Sequence, residues 1–318
     1  MPRKAIRFGL VSRNENPVSL PVEIGRGGYK VLKKWLRELQ LKHPLHRIKV
    51  VDVIIDANAE TGRVEQYSTN PFTPLKYKIV MPLKVYDVSA KCMLLHEYFH
   101  LYLADKYDLI FAIQLFCDDY PELQKHIITE GARTALYGYL KDIIRSPIDL
   151  FVDLYAALSN SEYRDCLRKE IEMDTKYAEL LFDALNMQAG NERLETKTMA
   201  YIIVNVRDIL SNAVIIEAVD NDASIVESVL EKLMTTGIRN KNLLLSIVEG
   251  YRDIIYRLKN TTNPVEVYRE LIHQIPIPPP LDNLSLDLGT LTVKCSESGE
   301  EVEIKCIKIC GSSKSSDL

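Results

Sequence analysis

The chain has no stretch of its 318 residues that approaches the ~18 uninterrupted apolar residues a spanning helix needs, so nothing in it reads as a membrane segment. The basic start MPRKAIR is not followed by the apolar run of a secretory signal. A basic surplus is missing too: 40 Lys and Arg stand against 44 Asp and Glu, for a net charge of −4. That balance argues against a dedicated nucleic-acid binder. Six cysteines are too few for a disulfide scaffold at this length. Cys92, Cys117 and Cys166 fall in helical patterns and read as small buried hydrophobes. Cys295, Cys306 and Cys310 crowd near the C-terminus, without the fourth ligand or the CxxC knuckle of a structural zinc. They read as incidental to an edge hairpin, or as a disulfide if the source is a hyperthermophile. There is no internal repeat. These absences together lead to the expectation of a cytoplasmic protein.

What is present suits a globular chain larger than one usual domain, with 47% hydrophobic residues. KAIRFGLVS (4–12) and IKVVDVIID (48–56) are rich in branched residues and bounded by breakers, the pattern of strands. Between them residues 27–42 place Tyr29, Leu32, Trp35, Leu36 and Leu39 at helical spacing. NAETGRV signals a hairpin turn, followed by short strands at 63–69 and 77–83. From Ser89, a natural helix N-cap, to about Ile275 the pattern is almost wholly helical. PIPPPLDN is a stiff linker, and the tail after it alternates like a hairpin turning at Ser298-Gly299. The expected fold class is α+β. Its parts are an α/β subdomain over 1–106, a helical subdomain over 107–275, and a linker, hairpin and tail over 276–318.

The stretch LLHEYFHL (94–101) carries the chemistry. His96 and His100 are four apart, so on a helix both imidazoles project from one face and reach a single ion. Glu97 sits about 100° round from His96, beside the ion rather than on it. There it can take a proton from a water that zinc has acidified toward a pKa of ~7. The helix is apolar nearly all round, and a charged triplet inside such a helix is costly unless a metal or hydrogen bonds satisfy it. Two histidines bonded to carbonyls are the plainer alternative.

A β-α-β-β-β unit followed by a buried HEYFH helix and a helical half resembles the zincin metallopeptidases, over roughly residues 4 to 160. The resemblance implies zinc as cofactor, Glu97 as catalytic base, and a substrate cleft bordered by the strand before the helix, here YKIVMPL. The metzincin pattern HExxHxxGxxH is excluded, because Lys106 holds the place of its third histidine. A catalytic zinc needs a third protein ligand. TEGARTALY is similar to the segment that supplies a glutamate in the gluzincin branch, which implies Glu130. Asp149 in SPIDLFVDLY is the other carboxylate, with Asp153 one turn later, and His126 is a third choice. If Glu130 binds the ion, Asp153 or Asp149 suits the role of acceptor for a ligand histidine's free N–H. Tyr137, Tyr139 and His126 are candidate oxyanion donors. The expected function is thus zinc-dependent hydrolysis of a peptide or protein substrate, with no nucleic-acid or membrane partner. A silent zincin-like protein, whose metal is structural and whose helical half binds a partner, is the alternative. The sequence sets no oligomeric state.

Overall fold

The computed structural model describes residues 6–11, 22–48, 50–56, 59, 62–66, 76–82, 88–107, 147–187, 191–236, 241–274, 284–294, 299 and 301–311. The chain forms two compact units, Met1–Val152 with Asn263–Leu318, and Asp153–Thr262. The fold is α+β.

In the first unit β1 (Ile6–Val11), β2 (Val50–Asp56), β3 (Arg63–Gln66) and β4 (Lys76–Pro82) make one sheet in the order β1-β2-β4-β3. β1, β2 and β4 are parallel, and β3 runs antiparallel to β4 at the edge. Val53 pairs with Ile79 and Ile55 with Met81, so four branched or long apolar side chains share one face, and all four are buried. α1 (Val22–Lys42) links β1 to β2, as a parallel pair requires. It buries Leu32, Leu36 and Leu39 and exposes Lys33, Lys34 and Arg37. Its start at Val22 lies upstream of the expected residue 27, and the helix carries Gly25, Gly27 and Gly28 within it. Each costs about 1 kcal/mol against alanine, an amount that burial of one leucine can offset.

α2 (Val88–Tyr107) begins one residue before the expected cap at Ser89. It buries Leu94, Leu95, Tyr98, Phe99, Leu101, Leu103 and Ala104, so no side of it is polar. It packs on β3, β4 and α1. Two polar ties fix it to the chain after α1. The Tyr98 hydroxyl donates to the His43 carbonyl at 2.5 Å, and burial pushes that hydroxyl's pKa far above its ordinary value. The buried Asp105 carboxylate accepts from the backbone N–H groups of His46, Arg47 and Ile48 at 2.5–2.7 Å. Three amide donors satisfy a buried carboxylate that would otherwise be expensive.

Helix α3 covers the described residues 147–159, and the division between the two units falls within it. The first unit is completed by α8 (Pro264–His273), with proline in its first turn, and by the hairpin β5 (Leu284–Lys294) and β6 (Glu301–Gly311). Phe151 of α3 meets Tyr268 of α8 edge-on, with ring centroids 6.2 Å apart. Arg269 of α8 forks onto Asp287 of β5 at 2.7 and 3.2 Å. Gly299, at φ 70°, lies in the loop joining the hairpin strands, where the sequence places the turn.

The second unit holds α4 (Ser161–Met187), α5 (Glu192–Asp220), α6 (Ser224–Thr235) and α7 (Lys241–Asn260). α5 is central and touches the other three. Between α5 and α6 the chain turns at Asn221, which has φ 57°, and the Asp222 carboxylate accepts from the Ser224 amide. That break is not evident in the sequence, because it has neither glycine nor proline.

The cysteines require a correction. Cys92, Cys166 and Cys306 are each disulfide-bonded, so Cys92 and Cys166 are not merely small buried hydrophobes, and Cys306 is not incidental to its hairpin. Their burial, which suggested packing, is equally the environment of a protected disulfide. No helix among the described residues is long and apolar enough to cross a membrane.

Candidate metal centre

Three donor atoms converge in the first unit. His100 Nε2 lies 3.1 Å from His96 Nε2 and 3.2 Å from Asp149 Oδ1, and His96 Nε2 lies 3.9 Å from the same oxygen. The two imidazole rings are 4.8 Å apart at 75°, the result of adjacent turns of α2 facing one way. Asp149 comes from the first described turn of α3 and is the acidic residue that α3 adds to the pair.

These separations are compatible with one shared ion as well as with hydrogen bonds. A tetrahedral zinc with bonds of about 2.0–2.1 Å places its ligand atoms about 3.3–3.4 Å apart. The three observed distances bracket that value. A neutral imidazole Nε2 carries at most one proton, so His100 can donate fully to only one of its two neighbours. One cation between the three atoms satisfies all of them. The donor set, two imidazole nitrogens and one carboxylate oxygen, is one that zinc accepts and leaves a fourth position open.

Glu97 follows His96 on α2. It is only 6% exposed. Gly62, directly before β3, abuts it: a Cβ at Gly62 would lie 2.7 Å from Met93 Cγ and 3.0 Å from both Glu97 Cγ and Oε1. Real side chains do not tolerate the first of those approaches, so only glycine lets the backbone come this close. Beyond Gly62, Arg63 donates to Glu65 at 2.6 Å, and Glu65 also pairs with Lys78 across the strands. Burial works to raise the Glu65 pKa, but the Lys78 and Arg63 partners outweigh it and hold the carboxyl below its ordinary value.

The structure thus brings His96, His100 and Asp149 together, and it packs Glu97 against Gly62. Glu130 lies outside the described residues, as do His126, Tyr137 and Tyr139. Asp153 accepts a hydrogen bond from the buried Tyr163 hydroxyl. The strand YKIVMPL, expected to border a cleft, is β4, which lies between β2 and β3 with both edges hydrogen-bonded. The strand at the sheet edge next to Glu97 is β3. Gly62 escaped the sequence reading as anything beyond part of a turn, and its one signal was its position immediately before a strand. Comparison of the chain with known protein families, curated proteins and solved structures finds no match.

Proposed function

We propose that the protein is a zinc-dependent hydrolase acting on peptides, with His96, His100 and Asp149 as metal ligands and Glu97 as general base. The observation that carries the reading is the separation of three donor atoms by 3.1, 3.2 and 3.9 Å on two helices. Asp149 takes the place that the gluzincin resemblance gave to Glu130. Zinc held there supplies Lewis acidity, which brings the pKa of a bound water near ~7. Glu97 accepts the proton of the attacking water and passes it to the leaving amine. Peptide as substrate is supported by β3, whose outer edge is unpaired among the described strands and which begins one residue after Gly62, the residue against Glu97. An extended chain can add to such an edge through backbone hydrogen bonds. The mixed sheet with its antiparallel edge strand and the HExxH helix supports the zincin resemblance at the level of fold.

A second reading is favoured by the burial of Glu97, since a base must reach the water it deprotonates. In that reading the metal is structural and the protein a partner-binding module. Metal analysis together with peptide-library cleavage separates the two. Wild type is expected to hold one zinc per chain, His96→Ala and Asp149→Ala to lose it, and Glu130→Ala to keep it. Glu97→Gln should keep the metal and lose cleavage by at least about a hundredfold, in line with removal of a general base. A wild type that holds zinc and cleaves nothing supports the module instead. Disulfide-bonded Cys92, Cys166 and Cys306 require an oxidising compartment, and a cytoplasmic location fits them only in a hyperthermophile-like cytosol.

A further inference from the structure

α4 has two apolar faces, and only one of them is used. Tyr163, Leu167, Ile171, Thr175 and Ala178 are buried within the second unit. Farther along the helix, on a face centred about 120° round, Met173, Tyr177, Leu180 and Met187 are 59, 49, 65 and 86% exposed. With Ala184, which is half-buried, these residues follow one another at alternating steps of four and three along the helix. That is the seam of a coiled coil, whose period selects another helix as its partner. Large apolar side chains left outside in a continuous helical stripe mark an interaction surface. α4 is already folded and held by its other face, so a partner helix need not supply the cost of ordering it.

The flanking charges decide which helix. Lys176 and Asp183 each stand one residue before a seam position, Tyr177 and Ala184, and therefore occupy the same flank. Both are exposed, and neither has an ion-pair partner among the described residues. When two copies of α4 run antiparallel about a two-fold axis, this flank faces itself. Lys176 then meets Asp183 of the partner subunit, and the symmetry repeats the pair. In a parallel pairing the flank would face the other side of the seam, positions 181 and 188, which are leucine and glutamine and offer no charge. Lys176 and Asp183 meet opposite charges in the antiparallel orientation only.

We propose that the exposed face of α4 is a homodimer interface, in which two copies pair antiparallel through Met173, Tyr177, Leu180, Ala184 and Met187, with Lys176–Asp183 pairs closing each side. This inference stands apart from the metal centre, and its test does not require activity. Sedimentation equilibrium over a concentration series should show a reversible dimer for wild type and a monomer for Leu180→Glu, both with unchanged far-ultraviolet circular dichroism. K176D and D183K each set like charges opposite one another twice, and each should weaken the dimer by about tenfold or more. The double variant K176D/D183K exchanges the charges and should restore it. A wild type that stays monomeric at every concentration overturns the proposal. So does a dimer indifferent to both single changes, or one that the double change fails to restore.

Discussion

At the level of single residues the proposed hydrolase would rely on a glycine to place its base as well as on histidines to hold its metal. Gly62 sets how near the sheet edge comes to Glu97. Gly62→Ala must push Met93 and Glu97 away, because the new Cβ would fall 2.7 and 3.0 Å from their atoms. His96, His100 and Asp149 are not among those neighbours. The expected outcome is a variant that retains stoichiometric zinc but cleaves peptides at least about tenfold more slowly, in kcat rather than KM, since a misplaced base loses transition-state stabilisation. Unchanged kcat would show that Glu97 tolerates the shift. The histidine pair was legible in the sequence because its geometry is local: two residues four apart on a helix face one way whatever surrounds them. Asp149 was legible as an acid on an apolar helix, one turn before Asp153. Its partners are far away in the chain, and no spacing rule connects α3 to α2. Gly62 was illegible as a site residue, because what matters is the backbone it allows against a distant helix.

At the level of elements, apolar periodicity foretold β1, β2, β4, α2 and α8 to within a few residues, and it foretold the hairpin β5–β6. It missed the start of α1 at Val22, and it missed the break at Asn221, where a left-handed turn has no glycine to announce it. It gave no strand order, so β4 could not be seen to be interior. The C-terminal hairpin is tied to α8 by charge as well as packing. The Arg269 guanidinium holds the Asp287 carboxyl below its ordinary value, against an opposing push from burial. A carboxyl depressed in the folded state contributes stability above its unfolded pKa of ~4, and loses it as pH falls through the lower folded value. Both side chains are partly exposed, so the effect is local and modest. Hydrogen exchange of the β5 amides is expected to quicken, relative to β2, as pH drops from about 5 to about 3, after correction for intrinsic rates. Arg269→Ala should remove most of that difference.

At the level of the whole molecule, the disulfide-bonded Cys92, Cys166 and Cys306 are the largest departure from what composition suggested. Composition counts cysteines and cannot say which are brought within bonding distance. Each bond typically contributes about 2–4 kcal/mol, chiefly by restricting the unfolded chain. Thermal melts with and without a strong reductant should differ by about 5 °C or more, given the few degrees per kcal/mol usual for chains of this size. Equal melting temperatures would mean that the bonds add nothing to stability in solution.

Asp105 bears on the order in which such a molecule assembles. Its three hydrogen bonds reach back 57 to 59 residues, so the end of α2 is secured only after the segment leading into β2 has been laid down beside it. The two histidines need nothing beyond their own helix to face each other. Their anchoring, by contrast, is a high-contact-order event, slow because a long loop must close before its bonds repay the lost entropy. The nascent chain therefore presents a bidentate histidine clamp well before Asp149 has even been synthesised, and a captured ion would meet its third ligand late.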